Sequence, residues 1–147
     1  MKKLSQVVRP ETSVPPQTER FVKAEPVLVL TGHRRNGRVM AKVYGVEVWL
    51  TPALFSGLGE LVVAIVRTPT GIVERPSYEM CRLRSAIDRA TRRRGLGAVL
   101  IQQESGTAYR VALARSEIVL DARFRELKPG EYVSADVQAE IIRTWLG

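Results

Sequence analysis

With one cysteine and one histidine in 147 residues, the chain is short of the side chains on which several kinds of chemistry depend. A single Cys81 cannot close an internal disulfide, which fits a reducing compartment. Cys81 and His33 alone cannot assemble a zinc site with the usual ligand spacings. No Ser-His-Asp or Cys-His arrangement suggests itself, because His33 sits in the turn-like TGHRRNG, so neither an enzyme nor a cofactor is expected. Long apolar runs are also missing. The longest aliphatic stretch, Leu61 to Val66, is far too short to cross a bilayer. The opening MKKLSQVVRPETSVPP is basic but has no apolar h-region, which argues against a secretory signal. A cytoplasmic protein with no membrane partner is the expectation.

Positive charge is what the chain has in excess. Twenty-three Lys and Arg stand against fifteen Asp and Glu, a net +8, while the apolar share of 45% is ordinary for a soluble domain. A balance this basic favours a polyanionic partner. The excess is also uneven. Residues 74–94 carry seven basic and three acidic side chains, whereas 115–147 carry five and six. Half of the surplus therefore belongs to one segment, with Arg34, Arg35 and Arg38 supplying much of the rest.

Residues 1–26 set Pro10, Pro15, Pro16 and Pro26 among polar side chains. They bury too little to offset the entropy of ordering, and read as a flexible basic tail. From Val27 the pattern becomes β-like: VLVL (27–30), RVMAKVY (38–44) and VEVWL (46–50), separated by Asn36-Gly37 and by Gly45. This spacing predicts an antiparallel sheet of about three strands. Thr51-Pro52 then reads as a helix start, since threonine caps a free N–H and proline at the first position loses none. Leu54, Phe55, Leu58, Leu61, Val62 and Ile65 recur at helical spacing as far as Arg67. Gly57 and Gly59 weaken that helix by about 1 kcal/mol each, so close packing against another element is expected there. Ile72-Val73 reads as one short strand.

A second helix is predicted from Ser77 to Arg94, with Gly95 as its left-handed cap. Met80, Leu83, Ile87 and Ala90 fall on one face. Tyr78, Arg82, Ser85, Arg89 and Arg92 fall on the other, with Cys81 and Asp88 beside them and Glu79 adding a negative charge on the flank. AVLIQQ (98–103) and AYRVALA (108–114) predict a hairpin with Val99, Ile101, Tyr109, Val111 and Leu113 turned inward. In the remainder, IVLDARF fits a strand or successive helical turns equally well. Ser134 caps a last helix whose Val137, Ile141 and Trp145 share a face.

In this order the parts resemble OmpR/PhoB-type winged-helix effector domains. RVMAKVYGVEVWLTPALFSGLGELV (38–62) is similar to their opening through Gly45, Val48, Leu50, Thr51, Phe55, Leu58 and Leu61. CRLRSAI (81–87) is similar to their recognition helix, and IQQESGTAYRVAL (101–113) to their wing. The resemblance implies an α+β fold over 27–114: a winged helix with an N-terminal antiparallel sheet, helices and a C-terminal β-hairpin wing, followed by an extension over 115–147. It also implies that Arg82 and Arg84 meet phosphates or bases, that Leu83 and Ile87 face the core, and that Gly106, Tyr109 and Arg110 belong to the wing. The chain departs from the pattern in three places. Only Ile72 to Ser77 stand where such domains carry a further helix, Ser105 replaces an arginine of the wing, and Ala108 replaces its second glycine. No receiver domain precedes the sheet, so no phosphorylatable aspartate is expected.

Together these readings predict a DNA-binding protein acting in transcriptional regulation, with double-stranded DNA as partner. Arg82, Arg84, Ser85 and Arg89 would lie in the major groove, with Tyr78, Arg92 and Arg93 beside them. Thr107 and Arg110 would reach the backbone from the wing, and Arg is suited to both tasks because its planar fork binds phosphate and guanine edges. A homodimer through Phe124, Ile141 and Trp145 of the extension is also expected. The alternative is a winged-helix protein–protein adaptor that does not bind DNA.

Overall fold

Two dipeptides with positive φ organise the first sheet. Strand β1 (Leu28–Arg35) returns as β2 (Arg38–Val43) through Asn36 and Gly37 (φ 53° and 75°). Strand β2 returns as β3 (Val46–Leu50) through Tyr44 and Gly45 (φ 49° and 80°). Both are the two-residue geometry that matches strand twist. The computed structural model describes residues 26–147, so the tail expected over 1–26 falls, apart from Pro26, outside the described residues.

The β1–β2 register shifts between Leu30 and Arg34. Gly32 takes φ 70° at this bulge, and the buried Thr31 hydroxyl donates to the Met40 carbonyl (2.8 Å) while accepting the His33 N–H (3.0 Å). His33 therefore lies within β1 and not in a turn, because the bulge carries the strand on to Arg35.

Thr51 caps helix α1 (Pro52–Arg67) by accepting the Leu54 N–H, and the apolar positions read from the sequence fill its buried face. The two glycines mark close approaches, as expected. A Cβ on Gly59 would lie 2.8 Å from a Val133 methyl, and one on Gly57 would lie 2.4 Å from the Glu79 carboxylate. Beyond α1 come β4 (Val73–Glu74), α2 (Ser77–Thr91), a short α3 (Leu96–Leu100), β5 (Ile101–Ser105) and β6 (Ala108–Val111). The last two join β4 in a second sheet of order β4-β6-β5, in which β6 pairs with both neighbours. The hairpin thus begins later than the sequence predicts. Residues 96–100 close one helical turn and leave Val99 60% exposed instead of half-buried.

The C-terminal residues complete the core. Strand β7 (Ile118–Leu120) pairs parallel with β1, giving the first sheet the order β3-β2-β1-β7, and a 3₁₀ turn (Ala122–Arg125) follows. The alternation in IVLDARF thus serves a strand and then a helical turn. Phe124 stacks on Phe55 with ring centroids 6.1 Å apart. Helix α4 (Ala135–Ile141), capped by Ser134, packs with Val137 and Ile141 inward, and buried Gln138 donates to the carbonyls of Phe124 and Leu127. Of the three residues expected to form a homodimer surface, Phe124 and Ile141 are not available to a partner. Phe124 and Ile141 are fully buried in this chain's own core, and half-buried Trp145 lies under the Arg115 guanidinium.

An ionic cluster fastens α4 to α1. Glu140 accepts from the Thr144 hydroxyl (2.6 Å), from Arg143 (2.6 Å) and from Arg67 (3.3 Å), and Arg67 also meets Asp136 at 2.8 Å. The Thr144 hydrogen bond, opposed by partial desolvation and reinforced by Arg67 and Arg143, holds the Glu140 carboxyl below the usual carboxylate range. A carboxyl whose native pKa is depressed stabilises the fold fully above its unfolded value, and that contribution is lost as pH falls through the native one. Wild-type protein is therefore expected to melt above Glu140→Gln at pH 6. The gap should narrow as pH falls below 4.5, as followed by circular dichroism; a gap that does not narrow with falling pH would remove the linkage.

Candidate nucleic-acid interface

Helix α2 buries the thin apolar thread Met80, Leu83 and Ile87 and leaves Tyr78, Cys81, Arg82, Ser85 and Arg89 exposed, as its spacing predicts. It packs against β3 on one flank and α3 on the other. Glu79 is not on the outer flank. It takes a two-pronged ion pair from Arg75 (3.0 and 2.9 Å) against Gly57 of α1, so its charge is neutralised inside the fold.

The helix ends three residues earlier than predicted. Arg92, not Gly95, takes the left-handed cap (φ 59°), with its N–H donating to the Asp88 carbonyl. The Asp88 carboxylate then accepts from the Gly95 N–H (3.0 Å) and the Gly97 N–H (2.6 Å), so the turn Arg92-Arg93-Arg94 is folded around one acidic side chain. Arg93 lies over the Tyr44 ring at 5.3 Å, which brings this turn to the β2–β3 hairpin.

Of the predicted contacts, Arg82, Ser85 and Arg89 share a groove of about 320 Å³ with Arg38, Trp49, Thr51, Leu54, Cys81 and Ala86. Arg92 joins Ser85 and Arg89 at an adjoining depression with Asp88 and Arg94. No carboxylate lines the groove, and Arg38, Arg82, Arg89, Arg92 and Arg94 make no ion pair among the described residues. Arginine that makes no ion pair keeps its hydrogen-bonding fork for an incoming anion.

The other predicted residues are used elsewhere. Arg84 turns to the opposite flank, where its Nε donates to the Ile101 carbonyl (2.8 Å) and its guanidinium covers the Tyr109 ring (5.5 Å). Arg110 pairs with Glu104 at 2.8 Å and also donates to Gln102. Thr107 donates to Glu74 at 2.6 Å. The hairpin is electrostatically satisfied by its own neighbours and leaves no positive charge at its tip. Tyr109 is 2% exposed, and its hydroxyl donates to Ser77, so it cannot reach a phosphate.

Sequence reading assigned no site role to Arg35, Arg38 and Trp49. In the structure Arg35 lies over the Trp49 ring at 4.4 Å, His33 meets that ring edge-on at 6.2 Å, and the indole N–H donates to Glu47 (3.2 Å). The signal was present: Arg35 and Arg38 face each other across the Asn36-Gly37 turn. What the sequence could not supply is that α2 lies alongside β3. Comparison of the chain with protein-family models, curated proteins and solved structures finds no match. No helix among the described residues is long and apolar enough to cross a membrane, and no cluster of metal-ligating side chains occurs among them.

Proposed function

We propose that this protein binds double-stranded DNA through the arginine groove between α2 and the β2–β3 hairpin, in the manner of a transcriptional regulator with a winged-helix body. The observation that carries the reading is the convergence of Arg38, Arg82 and Arg89 from two separate elements on one groove that no carboxylate lines. A solvated basic helix has no reason to face further cations from a sheet. The order α1, β4, α2, α3, β5, β6, with β4 pairing β6, supports the winged-helix part of the proposal. The resemblance made α2 the recognition helix with only residues 72–77 before it; in this order α2 is instead the first helix of the motif and α3 the second. Because α3 spans only Leu96–Leu100 and carries no charge, α2 takes over the contact with DNA. The tie of Arg110 to Glu104 and of Thr107 to Glu74 favours a second reading, in which the hairpin serves as a neutral protein-docking surface and the molecule is an adaptor.

Salt titration separates the two. With about four arginines neutralising phosphates, duplex affinity is expected to fall with a log–log slope of about −3 to −4 against salt concentration. Fluorescence anisotropy on a labelled random-sequence duplex measures it. Absence of duplex binding at low salt would leave the adaptor reading standing alone.

A further inference from the structure

The geometry points to a seat for one unpaired deoxynucleotide in the groove, its base stacked on Trp49 and its flanking phosphates held by Arg38, Arg82 and Arg89. The inference rests on the DNA-binding reading above and names the form of DNA that suits the site best.

A tryptophan in a β-strand ordinarily buries its ring, but Trp49 remains partly exposed and lines the groove. Its ring plane is nevertheless fixed from three directions: Arg35 over its face, His33 at its edge, and Glu47 holding its N–H. A ring held this way loses little freedom when a base settles on it, which is the condition for an effective stacking platform. Arg35 covers one face of Trp49 and does not line the groove, so a base seated in the groove stacks on the part of the ring that Arg35 leaves open. Ser85 adds a hydroxyl that can donate to or accept from a base edge.

Size and charge select the occupant. A groove of about 320 Å³ accepts a planar base with its sugar and cannot take in a base pair with both strands. Arg38 on the sheet and Arg82 and Arg89, two helical turns apart on α2, line the groove together with the ring. A single strand running along α2 past Trp49 therefore meets positive charge along its path. In a continuous duplex every base is already stacked within the helix, so its phosphates can use the arginines while Trp49 contributes nothing. An extruded base adds the stacking term at a small unpairing cost.

The experiment compares a blunt duplex with the same duplex carrying one extra, unpaired thymidine at its centre, bound to the full chain at a single salt concentration. The bulged duplex is expected to bind about tenfold more tightly. Trp49→Leu should abolish that difference between the two duplexes, and Trp49→Phe, which keeps a ring, should retain most of it. Equal binding of the two duplexes by wild-type protein overturns the seat and leaves the DNA reading intact, as does a Trp49→Leu variant that keeps the preference. A Trp49→Leu variant that weakens both duplexes alike assigns Trp49 to general support of the groove and also overturns the seat. Binding of neither duplex removes the DNA reading itself.

Discussion

Combining Arg82→Glu with Arg89→Glu is expected to weaken duplex binding by about a hundredfold or more, because two attractions to phosphate become two repulsions. Neither side chain makes an ion pair among the described residues, and both are exposed, so the melting temperature should stay within a few degrees of wild type. The salt slope should become shallower by about two units, one for each phosphate no longer neutralised. The informative control is Arg84→Ala. The resemblance groups Arg84 with Arg82, yet it stands about 200° from Arg82 round the helix axis, its Nε holds the Ile101 carbonyl and its guanidinium covers Tyr109. Losing it should lower stability by about 1–2 kcal/mol while duplex affinity is unchanged. Anisotropy titrations and thermal melts on the same preparations read both quantities. Retention of wild-type affinity by the double variant would remove the groove as the binding surface.

That contrast shows where sequence reasoning reached and where it stopped. Periodicity is a local property, and it located α1, α2 and the outward set Arg82, Ser85 and Arg89, because burial of Met80, Leu83 and Ile87 fixes the rotation of the helix. Turn chemistry is local as well, and Asn36-Gly37 reported its hairpin faithfully. Most of the failures required knowledge of a distant partner. Arg84 entered the proposed interface through the resemblance alone, although it stands about 200° from Arg82 round the helix, and in the fold it holds the Ile101 carbonyl at the start of β5. Glu79 left the outer flank because Gly57 leaves a space against α1 for the Arg75–Glu79 pair. Phe124 and Ile141 resembled a dimer surface while the strand pairing of Leu28 with Ile118, ninety residues apart, could not be seen. Trp49 and Arg38 were legible as residue types, but not as the opposite wall of the groove, since the docking of α2 beside β3 is a tertiary fact.

The short turn that ends α2 carries the second large effect, and two glycines with equal nearest distances distinguish its cause. A Cβ on Gly97 would lie 2.4 Å from the Arg84 carbonyl oxygen and 2.6 Å from its Cα, while a Cβ on Gly57 would lie 2.4 Å from the Glu79 Oε2. Backbone inside a helix cannot yield without moving that helix, whereas the far end of a glutamate can rotate. Gly97→Ala is therefore expected to cost about 2–3 kcal/mol, or roughly 10 °C in Tm for a domain of this size. It would also displace the N–H that Asp88 accepts at 2.6 Å and loosen the Arg92-Arg93-Arg94 turn. Gly57→Ala gains about 1 kcal/mol of helix propensity, which offsets the disturbance of the Arg75–Glu79 pair, so its Tm should change by only a few degrees. Denaturation of the two variants side by side tests the argument, because an account in which only the nearest distance matters assigns them equal losses. Near-equal destabilisation would mean that α2 and α3 can separate freely, and the fixed placement of the basic turn at the end of the groove would then be lost.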